Sequence, residues 1–320
     1  MQSSHYTKQK AKETDLPPVE ENSFKCFKIV PLDNKSLNES KDNPNEEFLL
    51  KPPFFSIFLG PSRAGKTTAM LNLLKNKTMF YKQFEEVYFF VPTWFDDAIY
   101  TNNVKIEDKY IITDYSPEIF TRIIKEKEAI VEAHKKVNGE KATVDGLLKK
   151  CLFVVDDNIG KRDLSGRLWT MMDVLATRGR KYNISTCLLI QALRGAASKN
   201  VRGNTTDVFI FYLPDGEEQK KVLSEFQGSV DKKDILAMYR QCFKDSQDKW
   251  SFFNIKNFET NNFIKFRKNF DTFLVPPSLQ QLVRKRKCDP AATEKSREKE
   301  LAQDPPRKKS VQTKKALYPS

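Results

Sequence analysis

The stretch Phe54-Phe55-Ser56-Ile57-Phe58-Leu59-Gly60-Pro61-Ser62-Arg63-Ala64-Gly65-Lys66-Thr67-Thr68 constrains this chain more than any other. An apolar run of strand length enters Gly-x-x-x-x-Gly-Lys-Thr, and a helix-compatible run, Ala69-Met70-Leu71-Asn72-Leu73-Leu74, leaves it. Strand, glycine loop and helix in that order form the phosphate-binding loop pattern. Gly60 and Gly65 admit backbone angles that a side chain would block. The loop through Pro61, Ser62, Arg63 and Ala64 can then turn its N–H groups inward around phosphates. The helix beginning near Lys66 adds the positive end of its dipole, and Thr68 continues the cradle. Lys66 is expected to reach the β- and γ-phosphates of ATP, and the Thr67 hydroxyl to ligate Mg²⁺.

A second stretch supplies what a phosphate cradle lacks. Cys151-Leu152-Phe153-Val154-Val155 is a short apolar run ending in Asp156-Asp157, about 90 residues beyond the loop. In nucleotide hydrolases such a strand is expected beside the loop strand in a parallel sheet, with its acids at the carboxyl edge. Asp156 would hold Mg²⁺ through water, and Asp157 would polarise the attacking water. A third run, Ile184–Ile190, ends in Gln191, an amide able to sense the γ-phosphate or hold the water. Arg178, Arg180, Arg194 and Arg202 follow or precede it. An arginine set against a neighbouring subunit's phosphate would stabilise transition-state charge. Spacing does not rank the four, and Arg202 is carried forward as the catalytic candidate.

The remaining elements fit the same sheet. Phe84–Val91 and Asp207–Leu213 read as buried strands, with a short one near Tyr110–Ile112. Ser116-Pro117-Glu118 opens a helix closed by Asn138-Gly139. Leu164–Thr177 forms another helix, and residues 94–115 otherwise look irregular. Trp250–Ile255 and Asn262–Arg267 read as a closing hairpin. The expected fold is α/β: a P-loop NTPase of the additional-strand, RecA/FtsK-like type, its central, mainly parallel sheet flanked by helices. Its bounds are a flexible arm at 1–47, with a short strand at Phe24–Val30, an ATPase domain at 48–275, and a basic tail at 276–320.

Composition narrows the partners. The net charge is +13. Residues 284–320 carry 12 Lys and Arg against 5 Asp and Glu, so more than half of the excess sits there. Arg284-Lys285-Arg286-Lys287 and Arg307-Lys308-Lys309 suit a nuclear-import signal or a nucleic-acid patch. The five cysteines show no C-x-x-C spacing and have two histidines for company. This argues against a zinc site or a disulfide framework, and for a reducing compartment. No apolar run approaches the roughly 18 residues of a membrane helix, and no signal-peptide core is present. The expected setting is soluble, with no membrane span.

Taken in order, the loop at 60–67, Val154-Val155-Asp156-Asp157, Arg178-Gly179-Arg180-Lys181-Tyr182-Asn183-Ile184-Ser185 leading to Gln191, and Arg202-Gly203-Asn204 before an apolar strand make a more specific pattern. It resembles the genome-packaging ATPases of large eukaryotic DNA viruses, poxvirus type, within the FtsK–HerA superfamily. Related proteins occur in virophages and Maverick/Polinton elements. The resemblance spans about residues 50–270. It implies phosphate contacts from Gly60–Thr67, Mg²⁺ at Thr67 and Asp156, a catalytic acid at Asp157 and a polar sensor at Gln191. Asp157 stands where many members have Glu, and Lys181 where many have His. The resemblance further implies a homo-oligomeric ring that moves double-stranded DNA into a preformed capsid, with capsid proteins as partners. The host nucleus or a cytoplasmic viral factory would be the location, or the virion. A DNA helicase or recombination NTPase, a nucleoside kinase, and a non-motor ATP-gated virion assembly factor are the alternatives.

Overall fold

A computed structural model describes residues 20–23, 49–114, 117–139, 147–156, 165–244 and 250–280, with backbone alone at 20–23, 117 and 165–170. The chain divides into two units, Met1–Pro277 and Ser278–Ser320. The described strands of the first unit form one sheet. In chain order they are β1 (Glu20–Ser23), β2 (Phe55–Leu59), β3 (Glu86–Phe90), β4 (Ile111–Ile112) and β5 (Cys151–Val155), then β6 (Ile184–Ile190), β7 (Asp207–Phe211), β8 (Phe252–Lys256), β9 (Phe266–Lys268) and β10 (Thr272–Val275). Their spatial order is β1-β10-β9-β8-β7-β2-β6-β5-β3-β4. From β7 to β4 every pairing is parallel, and from β7 to β1 every pairing is antiparallel. The sheet is therefore mixed and mainly parallel, as the sequence leads one to expect.

The near-continuous apolar runs have a simple cause. Strands of a parallel sheet are covered on both faces. Ile57, Leu59, Phe153, Val155, Leu188, Ile190, Val208 and Ile210 face one core layer. Phe58, Leu152, Val154, Cys187, Leu189, Phe209 and Phe211 face the other. The first layer is covered by α3 (Pro117–Asn138), α4 (Ser165–Arg178), α6 (Gly216–Phe226) and α7 (Lys232–Gln241). Phe90 stacks on Phe120 of α3 at 4.0 Å between ring centroids. The second layer is covered by α1 (Lys66–Lys75), by Phe80 and Trp94, and by α2 (Ala98–Asn103) through Tyr100. The short helix α5 (Lys199–Asn204) leads into β7. Among the described residues, no helix is long and apolar enough to cross a membrane.

Two expectations change. First, β5 does not lie beside the loop strand: β6 sits between them, pairing Leu59 with Ile190 on one side and Val155 with Leu188 on the other. Strand order is a non-local property, and no local pattern in β5 or β6 encodes it. Second, the hairpin exists but is shifted and extended. β9 is confined to Phe266–Lys268, and β10 adds a further antiparallel strand. A segment of the arm, Glu20–Ser23, also forms a strand, paired with β10; the strand expected at Phe24–Val30 lies outside the described residues.

At the seam between the two halves of the sheet, Asp207 of β7 pairs in register with Lys256 of β8. Burial raises the Asp207 carboxyl to about 6, opposed by the charges of Lys256 and Arg267 and a hydrogen bond from Thr206. Burial also lowers the Arg267 guanidinium to about 10. A carboxyl that binds its proton more tightly in the fold than in the open chain favours the fold at low pH. Its contribution should therefore be lost as pH rises from about 4 to about 6, by on the order of 3 kcal/mol. Urea unfolding of wild type and Asp207→Asn across that window checks this. The substitution should remove the decline.

Candidate nucleotide site

β2 carries the chain to Leu59, and the Gly60 N–H donates to the Ile190 carbonyl at 3.1 Å, tying the loop to the end of β6. The loop then turns through Ser62 and Arg63, both exposed, with Arg63 in the left-handed region at φ 64°. Gly65 has φ 98° and serves as the N-cap of α1 without a side-chain cap. The first turn of α1 holds no acid, so none of its own side chains places negative charge at that end. Gly65 meets the expectation of a backbone angle that other residues resist. Gly60 does not: its φ is not positive. Its reason is proximity, since a Cβ there would stand 2.6 Å from Phe211 Cβ of β7.

Lys66 is buried, and its Nζ donates to the carbonyls of Gly60 at 2.8 Å and Pro61 at 2.9 Å. The ammonium is thereby folded over the loop it is expected to serve. Thr67 Oγ1 donates to Asp156 Oδ2 at 3.0 Å. Two residues 89 positions apart, both assigned to a metal from sequence, are thus brought into contact. Asp156 is also the acceptor for the Tyr100 phenol, at 2.5 Å from the same oxygen. Sequence reading missed Tyr100 because it treated 94–115 as irregular. The available signal was Asp97 before Ala98-Ile99-Tyr100: its carboxylate accepts from the Ile99 N–H at 2.8 Å and caps α2.

These groups line a cavity of about 410 Å³. Ser62, Arg63, Gly65, Lys66, Thr67 and Thr68 form one wall; Asp156, Leu189 and Gln191 form a second. Thr93, Asp97 and Ile99 form a third that the sequence did not suggest. Gln191 is exposed at the end of β6, beside the loop. Asp157 lies outside the described residues. Arg202 is not brought to this cavity within the chain. Its Nε meets Glu225 Oε1 at 2.9 Å, its Nη1 donates to the Ala197 carbonyl at 2.6 Å, and with Arg194 it lines a separate cavity of about 240 Å³. Arg178, Arg180 and Arg194 are exposed.

The donors suit the group that the pattern implies. A hydroxyl and a carboxylate at 3.0 Å are hard oxygen donors, which Mg²⁺ takes in small number alongside phosphate oxygens. Among the described residues no cluster of three or more His, Cys, Asp or Glu exists that would instead suit a metal caged by protein alone.

Several solved structures resemble the chain. The pCW3 conjugation coupling protein TcpA aligns with a TM-score of 0.48 and 14% identity, over 69% of this chain and 60% of that one. The chain thus spans less than two thirds of that relative. The DNA-packaging ATPase B204 of Sulfolobus Turreted Icosahedral Virus gives a TM-score of 0.39 and 13% identity, over 69% and 98%. EssC (ATPases 2 and 3) of Geobacillus thermodenitrificans gives 0.44 and 11%, over 70% and 40%. These likenesses are too distant to assign an activity. No curated protein matches the sequence. The family model described as "Poxvirus A32 protein" matches residues 42–258, more than half of the chain. The chain therefore belongs to the poxvirus A32 protein family, the viral DNA-packaging ATPases that its sequence pattern resembles.

Proposed function

We propose that this ATPase is a ring-forming motor that couples ATP hydrolysis to movement of double-stranded DNA into a preformed capsid. The observation that carries the hydrolytic part is the meeting of Thr67 with Asp156 beside Lys66, at the mouth of a helix-capped loop. The DNA part rests on family membership. In this reading the loop amides and Lys66 hold the triphosphate. Thr67 and Asp156 would hold Mg²⁺, which when bound offsets charge on the β- and γ-phosphate oxygens. Asp157, the next residue after Asp156, orients the attacking water. Gln191, exposed at the adjacent strand end, reads the γ-phosphate. Arg202 is proposed to act on the nucleotide of a neighbouring subunit, which would require it to leave Glu225.

The ATPase domain is taken as 48–275 and the basic segment beyond it as the anchor for DNA or for an import receptor, in the nucleus or a viral factory. A motor must grip any sequence, so its contacts should be mainly to phosphates. Such contacts release counterions and weaken steeply with salt. Phosphate release should therefore rise severalfold with duplex DNA at about 50 mM salt, and the stimulation should vanish by about 500 mM. Hydrolysis indifferent to DNA at every salt concentration would count against translocation.

A further inference from the structure

The walls of the nucleotide cavity include a segment that the loop pattern does not account for. After β3 the chain runs Pro92-Thr93-Trp94-Phe95-Asp96-Asp97 into α2. This short helix turns Tyr100 inward. Its side chain has no exposed surface, stacks on Trp94 at 5.1 Å between centroids, and meets Phe89 edge-on at 5.9 Å. Its hydroxyl ends on Asp156 Oδ2 at 2.5 Å. Thr67 Oγ1 donates to the same oxygen.

A carboxylate at a strand end turns easily about its last torsion, where the preference is broad. Two donors on one oxygen restrict that turn. The donors differ in what else they must do. In the ATPase reading, on which this inference rests, the Thr67 hydroxyl is committed to the cation. Tyr100 then remains on the side of Asp156 that faces the core. The phenol is the donor in that contact, since it carries an O–H and the carboxylate oxygen accepts.

We propose that Tyr100 is a positioning residue: it holds the Asp156 carboxylate in the orientation that, with Thr67, accepts a divalent cation. It touches neither nucleotide nor reacting atoms. Its effect on the cation runs through Asp156, in the way that outer partners of metal ligands tune affinity.

The test compares wild type, Tyr100→Phe, Asp156→Asn and the double variant. Mn²⁺ serves as a paramagnetic probe, titrated against the full-length protein with ATPγS and followed by electron paramagnetic resonance. Tyr100→Phe keeps the ring on Trp94 and deletes only the hydroxyl. It should weaken Mn²⁺ about tenfold, while ATPγS affinity in chelator and the melting temperature stay near wild type. In the Asp156→Asn background the same change should add no further loss, because the partner through which it acts is altered. Mn²⁺ affinity unchanged within about twofold in Tyr100→Phe, or equal losses in both backgrounds, overturns the inference. A wild-type protein that binds neither ATPγS nor Mn²⁺ would instead overturn the ATPase reading, and is told apart by that single control.

Discussion

Lys66→Ala is expected to lower ATP turnover to about one-thousandth of wild type, the scale seen when a fixed donor to transition-state charge is removed. The Lys66 ammonium is buried among loop carbonyls and projects from the first residue of α1. Water cannot take its place in that cradle with the same geometry. Steady-state phosphate release gives the number. The fold should survive, since Lys66 packs against the loop and belongs to neither core layer. The same variant tests the motor: capsids that still fill with DNA when it replaces wild type would reduce the chain to a scaffold.

Gly60→Ala should destabilise the protein by about 3 kcal/mol or more, the upper range for forced overpacking. The new methyl would stand 2.6 Å from Phe211 Cβ. That atom is fixed to the backbone of a fully buried strand residue, so no rotamer change moves it away. Phe211 is pinned in turn, by register with Phe252 on β8 and by ring contact at 5.3 Å. Relief requires β2 and β7 to part. Urea denaturation reads the loss, and Gly203→Ala is the control. Gly203 lies in α5 with open space around its Cβ position. That change should be neutral, or gain up to about 1 kcal/mol from helix propensity.

How far the sequence could be read depended on whether an element's signal was local. The loop, its strand and its helix are contiguous, so their pattern was visible at once. The apolar strands were visible because burial on both faces leaves little polar alternation. β4 and the hairpin were placed to within a few residues. The third wall of the cavity was not seen, because α2 has only six residues and Tyr100 is its one buried side chain. Periodicity needs about three turns, a window of roughly 11 residues or more, to show itself.

By itself the amino-acid sequence determined that a triphosphate cradle sits between a strand and a helix, and that an acid pair ends another buried strand. These follow from short-range chemistry: glycine where backbone must turn or approach, lysine and threonine where phosphate and cation charge must be met. Only the tertiary structure decided that β6 lies between the two strands, that Asp156 meets Thr67, and that Tyr100 arrives from a third segment to bind the same oxygen. It also set Arg202 against Glu225. Each of these is a contact between residues distant along the chain. Such contacts are set by which faces pack together, and the burial that selects those faces is summed over the whole sheet.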